Sequence, residues 1–178
     1  MRISDTPLQG ALLLEPEPIT DERGFFARTF CVDELAARGL RFEIVQCNVS
    51  GNRRRGTLRG LHFQRPPHAE GKIVSCLAGS LLDVIVDLRP ESPSFRRWHA
   101  VELSASNRLA LAIPPGFAHG FQTLEDGTDV QYLMSHRYVA QAADGVRWND
   151  PAFGIRWPIG RPILSARDAA YPDFGSGR

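Results

Sequence analysis

Leu81-Leu82-Asp83-Val84-Ile85-Val86-Asp87-Leu88 is the stretch on which the fold turns. Leu82, Val84, Val86 and Leu88 alternate with Asp83, Ile85 and Asp87, the period of two that a strand requires, and the alternation predicts one clear apolar face. On either side, 16 glycines and 13 prolines punctuate further short apolar runs instead of gathering in one linker. The runs predict strands over Ala11–Leu14, Gly24–Phe30, Phe42–Val49, Leu58–Phe63, Lys72–Leu77, Trp98–Leu103, Leu109–Ile113, Ala118–Leu124 and Val130–Ser135. Only Val32–Arg38 reads as a helix, built on Leu35, Ala36 and Ala37 and stopped by Gly39, and a second short turn starts at Ser165 as N-cap of Ala166–Ala170. So many short strands with so little helix must hide their edges. The fold class expected is therefore all-β, a barrel or jelly roll with one or two short helices.

A chain of 178 residues fits one domain spanning 1–178, enough to bury roughly 70% of the surface of the unfolded chain. The charge of +1 comes from 21 basic and 20 acidic residues mixed along the chain, which argues against a nucleic-acid partner. Arg53-Arg54-Arg55, the one dense basic run, lies in polar sequence between apolar segments and reads as a solvated loop. Cys31, Cys47 and Cys76 are odd in number and widely spaced, as suits buried thiols in a reducing compartment. Met1 to Gly10 has no charged and apolar leader pattern, and nowhere do about 18 apolar residues run together. A cytoplasmic protein without a membrane partner is the expectation.

Two segments carry the candidate chemistry: Thr57-Leu58-Arg59-Gly60-Leu61-His62-Phe63-Gln64 and Ile113-Pro114-Pro115-Gly116-Phe117-Ala118-His119-Gly120-Phe121. Each sets one histidine in an apolar strand beside glycine, and two such strands could bring both imidazoles into one cavity. A barrel metal site normally draws two ligands at i, i+2 from one strand. No His-x-His occurs here, although the His119 segment has the Pro-Gly-x-x-His form of the second cupin metal motif. No Gly-x-Ser-x-Gly elbow and no cysteine in a basic glycine-rich turn offers a nucleophile. Acid–base chemistry has its ingredients in His62, Tyr132, Lys72 and Arg59, which can serve as base, acid and enolate-stabilising cations. Arg59 and His62 lie three apart and would face opposite ways on an unbroken strand, but a bulge at Gly60 turns both inward. Tyr132 and Tyr138, six apart, share a face if their strand runs on, roughly 20 Å from end to end. Taken singly, His62, Lys72 and Tyr132 also read as a satisfied core histidine, a snorkelling strand end and aromatic packing.

In order along the chain, Asp21-Glu22-Arg23-Gly24-Phe25-Phe26, Leu58-Arg59-Gly60-Leu61-His62-Phe63-Gln64, Gly71-Lys72-Ile73-Val74, Asp83 to Arg89, Glu102-Leu103-Ser104-Ala105, Ile113 to Phe121, Trp148-Asn149-Asp150-Pro151 and Leu164 to Ala170 resemble the dTDP-4-dehydrorhamnose 3,5-epimerase family and its antibiotic-sugar relatives. The resemblance implies a cupin-like jelly-roll homodimer that epimerises nucleotide-linked 4-keto-6-deoxy sugars, with no cofactor and no metal. It implies His62 as base with Asp168 as its carboxylate partner, Lys72 beside the keto oxygen and Tyr132 as acid on the opposite face. Arg59 and His119 would line the sugar and diphosphate. Arg23, Phe26 and Gln46 would contact the nucleotide, partly from the neighbouring subunit, and Tyr138 would bound the same site. The chain departs from the family pattern at Arg28, Cys47, Leu133 and Ala143, where glutamate, aspartate, lysine and glutamate are usual. Arg28 holds a position tied to base recognition, and a guanidinium only donates hydrogen bonds where a carboxylate accepts them.

The reading that leads is inversion at C3, C5 or both through an enolate on a dTDP-linked sugar, the double inversion being the default. A mono-functional 3- or 5-epimerase is its near alternative. A metal-dependent cupin oxygenase or isomerase and a non-catalytic sugar-nucleotide barrel stand as the other classes, to be separated by elemental analysis and by turnover.

Overall fold

Residues 1–41 and 43–175 are described by the computed structural model. Strands β1 (Arg2–Asp5), β2 (Leu12–Glu15), β10 (Ala110–Ile113), β7 (Lys72–Ala78), β12 (Thr128–Met134) and β5 (Gln46–Asn52) form one sheet in that order. β13 (Ala143–Gly145), β6 (Leu58–Gln64), β11 (Phe117–Thr123), β8 (Ser80–Asp87) and β9 (Trp98–Ser104) form a second. A hairpin of β3 (Ile19–Asp21) and β4 (Gly24–Phe26) belongs to neither. Neighbouring strands pair antiparallel throughout both sheets. The all-β jelly roll expected from the sequence is the fold observed, with the short helices α1 (Val32–Ala37) and α2 (Ala166–Ala169) alone among the described residues.

The core lies between the sheets, where Val74, Cys76, Leu111, Ile113 and Val130 of the first meet Leu81, Ile85, Leu103, Phe117 and Phe121 of the second. Each fully buried Leu, Ile or Phe of this layer contributes about 1.5–3 kcal/mol relative to exposure. Outside the first sheet, Leu35 of α1 and Leu40 cover Leu12, Leu14 and Ile73. Outside the second, Val146 and Phe153, with Trp157 and Phe174, cover Leu61, Val84, Val86 and Ala118.

That second cover corrects the reading of β8. Val84 and Val86 form the apolar face expected, but the opposite face is not solvated: Ile85 belongs to the inter-sheet core, and Asp83 and Asp87 are fully buried. The two aspartates are tolerated because each is partnered. His119 meets Asp83, while Arg89, Ser92 and Ser94 donate to Asp87.

Of the three thiols expected to be buried, Cys76 is; Cys31 is half-buried at the start of α1, and Cys47 is exposed on β5 at the sheet edge. Other boundaries moved less. The Gly24–Phe30 strand ends at Phe26, and the strand expected over Phe42–Val49 runs Gln46–Asn52, with Phe42 itself outside the described residues. β1, β3 and β13 went unread because three or four residues cannot display an alternation. Ser165 caps α2 as expected, its hydroxyl accepting from the Asp168 N–H at 3.1 Å.

The bulge at Gly60 is present. His119 pairs with His62 and Phe121 with Arg59, so three steps on β6 answer two on β11. Gly60 has φ +130°, and a Cβ there would stand 2.5 Å from the Gly120 Cα. Only glycine accepts both demands.

Candidate active site

A cavity of about 580 Å³ draws its lining from both sheets and from the α2 segment. β6 supplies Arg59 and His62, β11 His119, β7 Lys72, β12 Tyr132, β5 Gln46, and the α2 region Asp168 and Tyr171, with Tyr138 from the loop after β12. Arg59 and His62 both reach it because of the extra residue at the bulge. The two histidines are cross-strand partners, which brings both imidazoles into one cavity as expected.

His62 is paired with a carboxylate. Its Nε2 lies 2.6 Å from Asp168 Oδ1. An ionised carboxylate only accepts, so the His62 Nε2–H donates to it. Burial would raise the Asp168 carboxyl, but hydrogen bonds from His62, Ser165 and the backbone of Gly60 outweigh it and hold the group below the usual carboxylate range. The Tyr171 ring braces the imidazole edge-on at a centroid separation of 5.7 Å. With a side chain 41% exposed, His62 faces the open cavity while Asp168 is shielded.

Lys72 is buried, and its ammonium rests 2.9 Å from Glu70 and donates to the His62 carbonyl at 3.2 Å. Glu70, also buried, accepts from the Gln64 N–H at 3.0 Å. A buried cation survives in that state because it is paired and hydrogen-bonded.

On the neighbouring strand His119 Nε2 sits 2.7 Å from Asp83 Oδ1, a second histidine–aspartate pair. The Tyr132 ring stands nearly perpendicular to His119, centroids 5.9 Å apart. Burial, reinforced by the Asp83 carboxylate and only partly offset by Arg59, pushes the Tyr132 hydroxyl well above the ordinary phenol range. It is held as the neutral donor. Tyr132 and His62 come from different sheets and line the same cavity.

The remaining expected residues divide. Arg59 donates to Asn52 at 2.8 Å, and Gln46 donates to Asn48 at 3.0 Å while accepting from the Tyr138 N–H at 3.2 Å. All three line the cavity. The strand bearing Tyr132 ends at Met134, so Tyr138 arrives by a loop and not by strand periodicity. Arg23, Phe26 and Arg28 do not line the cavity of their own chain. Arg23 pairs with Asp21, Phe26 is 76% exposed, and Arg28 is held by Glu34 at 2.6 Å. Sequence reading missed Glu70, Asp83 as the partner of His119, and Tyr171. Glu70 sits two residues from Lys72, and Asp83 interrupts an apolar strand; those spacings were the available signals.

Among the described residues no three histidine, cysteine, aspartate or glutamate side chains gather as a metal-binding group, and no helix is long and apolar enough to cross a membrane. A family model described as dTDP-4-dehydrorhamnose 3,5-epimerase matches residues 5–176. The chain is 44% identical over 176 residues to the dTDP-4-dehydrorhamnose 3,5-epimerase of Salmonella typhimurium, covering 97% of this chain and 94% of that one. Its structure is similar to a dTDP-6-deoxy-D-glucose-3,5-epimerase from Legionella pneumophila in complex with dTDP-4-keto-L-rhamnose, with a TM-score of 0.90, 38% identity, and coverage of 97% and 92%. It is also similar to a 3'-monoepimerase from Streptomyces bikiniensis in complex with dTDP-quinovose, with a TM-score of 0.87, 35% identity, and coverage of 94% and 85%. Agreement along nearly the whole length establishes the lineage: the chain belongs to the dTDP-4-dehydrorhamnose 3,5-epimerase family.

Proposed function

We propose that the protein inverts C3 and C5 of a dTDP-linked 4-keto-6-deoxyhexose, of the dTDP-4-dehydro-6-deoxyglucose type, yielding the dTDP-4-dehydrorhamnose type. The observation that carries this is the His62–Asp168 pair on one wall of the cavity facing Tyr132 on the other. Both carbons flank the 4-keto group, whose carbonyl acidifies their hydrogens once the developing oxyanion is stabilised. Nδ1 of His62 removes the proton and the C–H electron pair moves to the keto oxygen, where the Lys72 ammonium stabilises it. The imidazolium is balanced by Asp168. Tyr132 then delivers its proton to the opposite face of the same carbon, and the carbonyl reforms. Nothing is oxidised or reduced, so the chemistry calls for no redox cofactor.

The nucleotide is placed along Arg59, Gln46 and Tyr138, with Arg23, Phe26 and Arg28 contributed by a second copy of the chain. Support for that homodimer comes from the separate hairpin, where Ile19 is 74% exposed beside Phe25 and Phe26, and from β5, an open sheet edge bearing exposed Val49. Apolar surface of this kind on a free edge asks for a partner. A cytoplasmic location accords with a nucleotide-sugar substrate. Incubation of a 4-keto-6-deoxy dTDP-sugar in deuterated water tests the activity. Deuterium at both C3 and C5 of an inverted product is expected; deuterium at one carbon alone assigns a mono-epimerase, and none, with no isomer formed, overturns the reading.

A further inference from the structure

We propose that Asp83, acting through His119, is a positioning residue for the acid half of the reaction: the buried Asp83–His119 pair holds and serves Tyr132 as Asp168 holds and serves His62. The inference rests on the epimerase reading above and assigns a division of labour between two histidine–aspartate pairs.

Proton accounting poses the problem that this pair solves. One inversion breaks a C–H bond, with its proton on His62, and forms another with the proton of Tyr132. It leaves an imidazolium and a phenolate. Both must be reset before the next carbon or the next substrate. His62 opens to the cavity and can exchange its proton with solvent. Tyr132 packs instead against His119, whose side chain is 5% exposed.

Asp83 has the features such a role needs. It is fully buried and does not line the cavity, so it reaches the reaction only through a neighbour. One oxygen fixes His119 at 2.7 Å, while the other, equally buried, accepts no hydrogen bond among the described residues. A half-satisfied carboxylate in the interior is costly and calls for a compensating use. Its charge also helps to keep the phenol protonated, against the guanidinium of Arg59. His119, Asp83 and Arg59 are thus the titratable and charged groups set around Tyr132 from β11, β8 and β6. With its orientation fixed by Asp83, the imidazole of His119, which lines the cavity, relays to the phenolate one proton taken up from solvent there, matching the proton that His62 gives up to solvent.

The test separates the two halves. In deuterated water, Asp83→Asn keeps the size of the side chain and removes its charge. We expect inverted product to form at least about tenfold more slowly, with solvent deuterium still entering the unreacted isomer within about threefold of the wild-type rate and dTDP still bound. Tyr132→Phe, which removes the acid outright, provides the reference pattern. Asp83→Ser is run in parallel, and either variant suffices. Equal loss of exchange and inversion in a folded, dTDP-binding variant overturns the proposal, as does wild-type inversion. Failure of both variants to fold makes Asp83 a fold determinant and also overturns it. A wild-type protein that incorporates no deuterium refutes the epimerase reading instead, so the two failures are distinguishable.

Discussion

In the proposed reaction His62, paired with a carboxylate kept ionised by its own hydrogen bonds, takes the substrate proton. His62→Ala should lower turnover by about 10²–10⁴-fold, the share of one general base, while dTDP affinity changes little because His62 faces the sugar. Near-normal turnover in the folded variant would remove it from the mechanism. Arg28 sets a second residue-scale expectation. It is tied to Glu34 of its own chain and presents only donors, so it cannot accept the N3–H of thymine. Competition among dTDP, UDP, CDP and GDP should show a thymine preference looser by about 1–3 kcal/mol than an accepting carboxylate would confer. A strong dTDP preference that survives Arg28→Ala would show that Arg28 has no part in reading the base.

At the scale of the element, β6 is shaped by one residue with no side chain. Gly60→Ala puts a methyl group 2.5 Å from a backbone carbon at a φ that L-residues avoid, and Arg59 and His62 lose their shared direction. The variant should be destabilised by about 2–5 kcal/mol in denaturant unfolding and should lose activity out of proportion to that loss. β8 ends in the other telling cluster. Burial opposes ionisation of Asp87, but Arg89, Ser92 and Ser94 together carry its pKa down from 3.8 to about 2. A depressed carboxylate stabilises the fold at every pH above its unfolded value, and that contribution disappears as pH falls through about 2. It amounts to roughly 2 kcal/mol. Acid unfolding followed by circular dichroism should therefore be shallower below about pH 4 in Asp87→Asn, whose stability at neutral pH is lower; an unchanged acid limb would contradict the assignment.

For the whole molecule, the consequential feature is a hairpin that lies outside both sheets and carries Arg23 and Phe26, two of the residues assigned to the nucleotide. Light scattering should give twice the chain mass of 19.8 kDa, and Phe26→Asp should weaken both dimerisation and dTDP binding. A protein that is monomeric under assay conditions and still turns over would refute the shared site.

Strand content, the short α1 helix, the Ser165 cap and the bulge at Gly60 were legible in the chain because alternation, N-cap chemistry and glycine punctuation are local properties. The types of residue suited to proton transfer could also be listed. Their grouping could not be read from spacing: Asp168 is 106 positions from His62, and its role came from resemblance to a family. The burial of the second face of β8 was not legible, since the aspartates on it find their partners, His119, Arg89 and two serines, only in the folded chain. A single strand specifies which residues share a face; which face becomes interior depends on what the rest of the chain lays over it. Only the tertiary structure decided that, and with it the placing of base and acid on opposite walls, because both depend on pairing partners far apart in sequence.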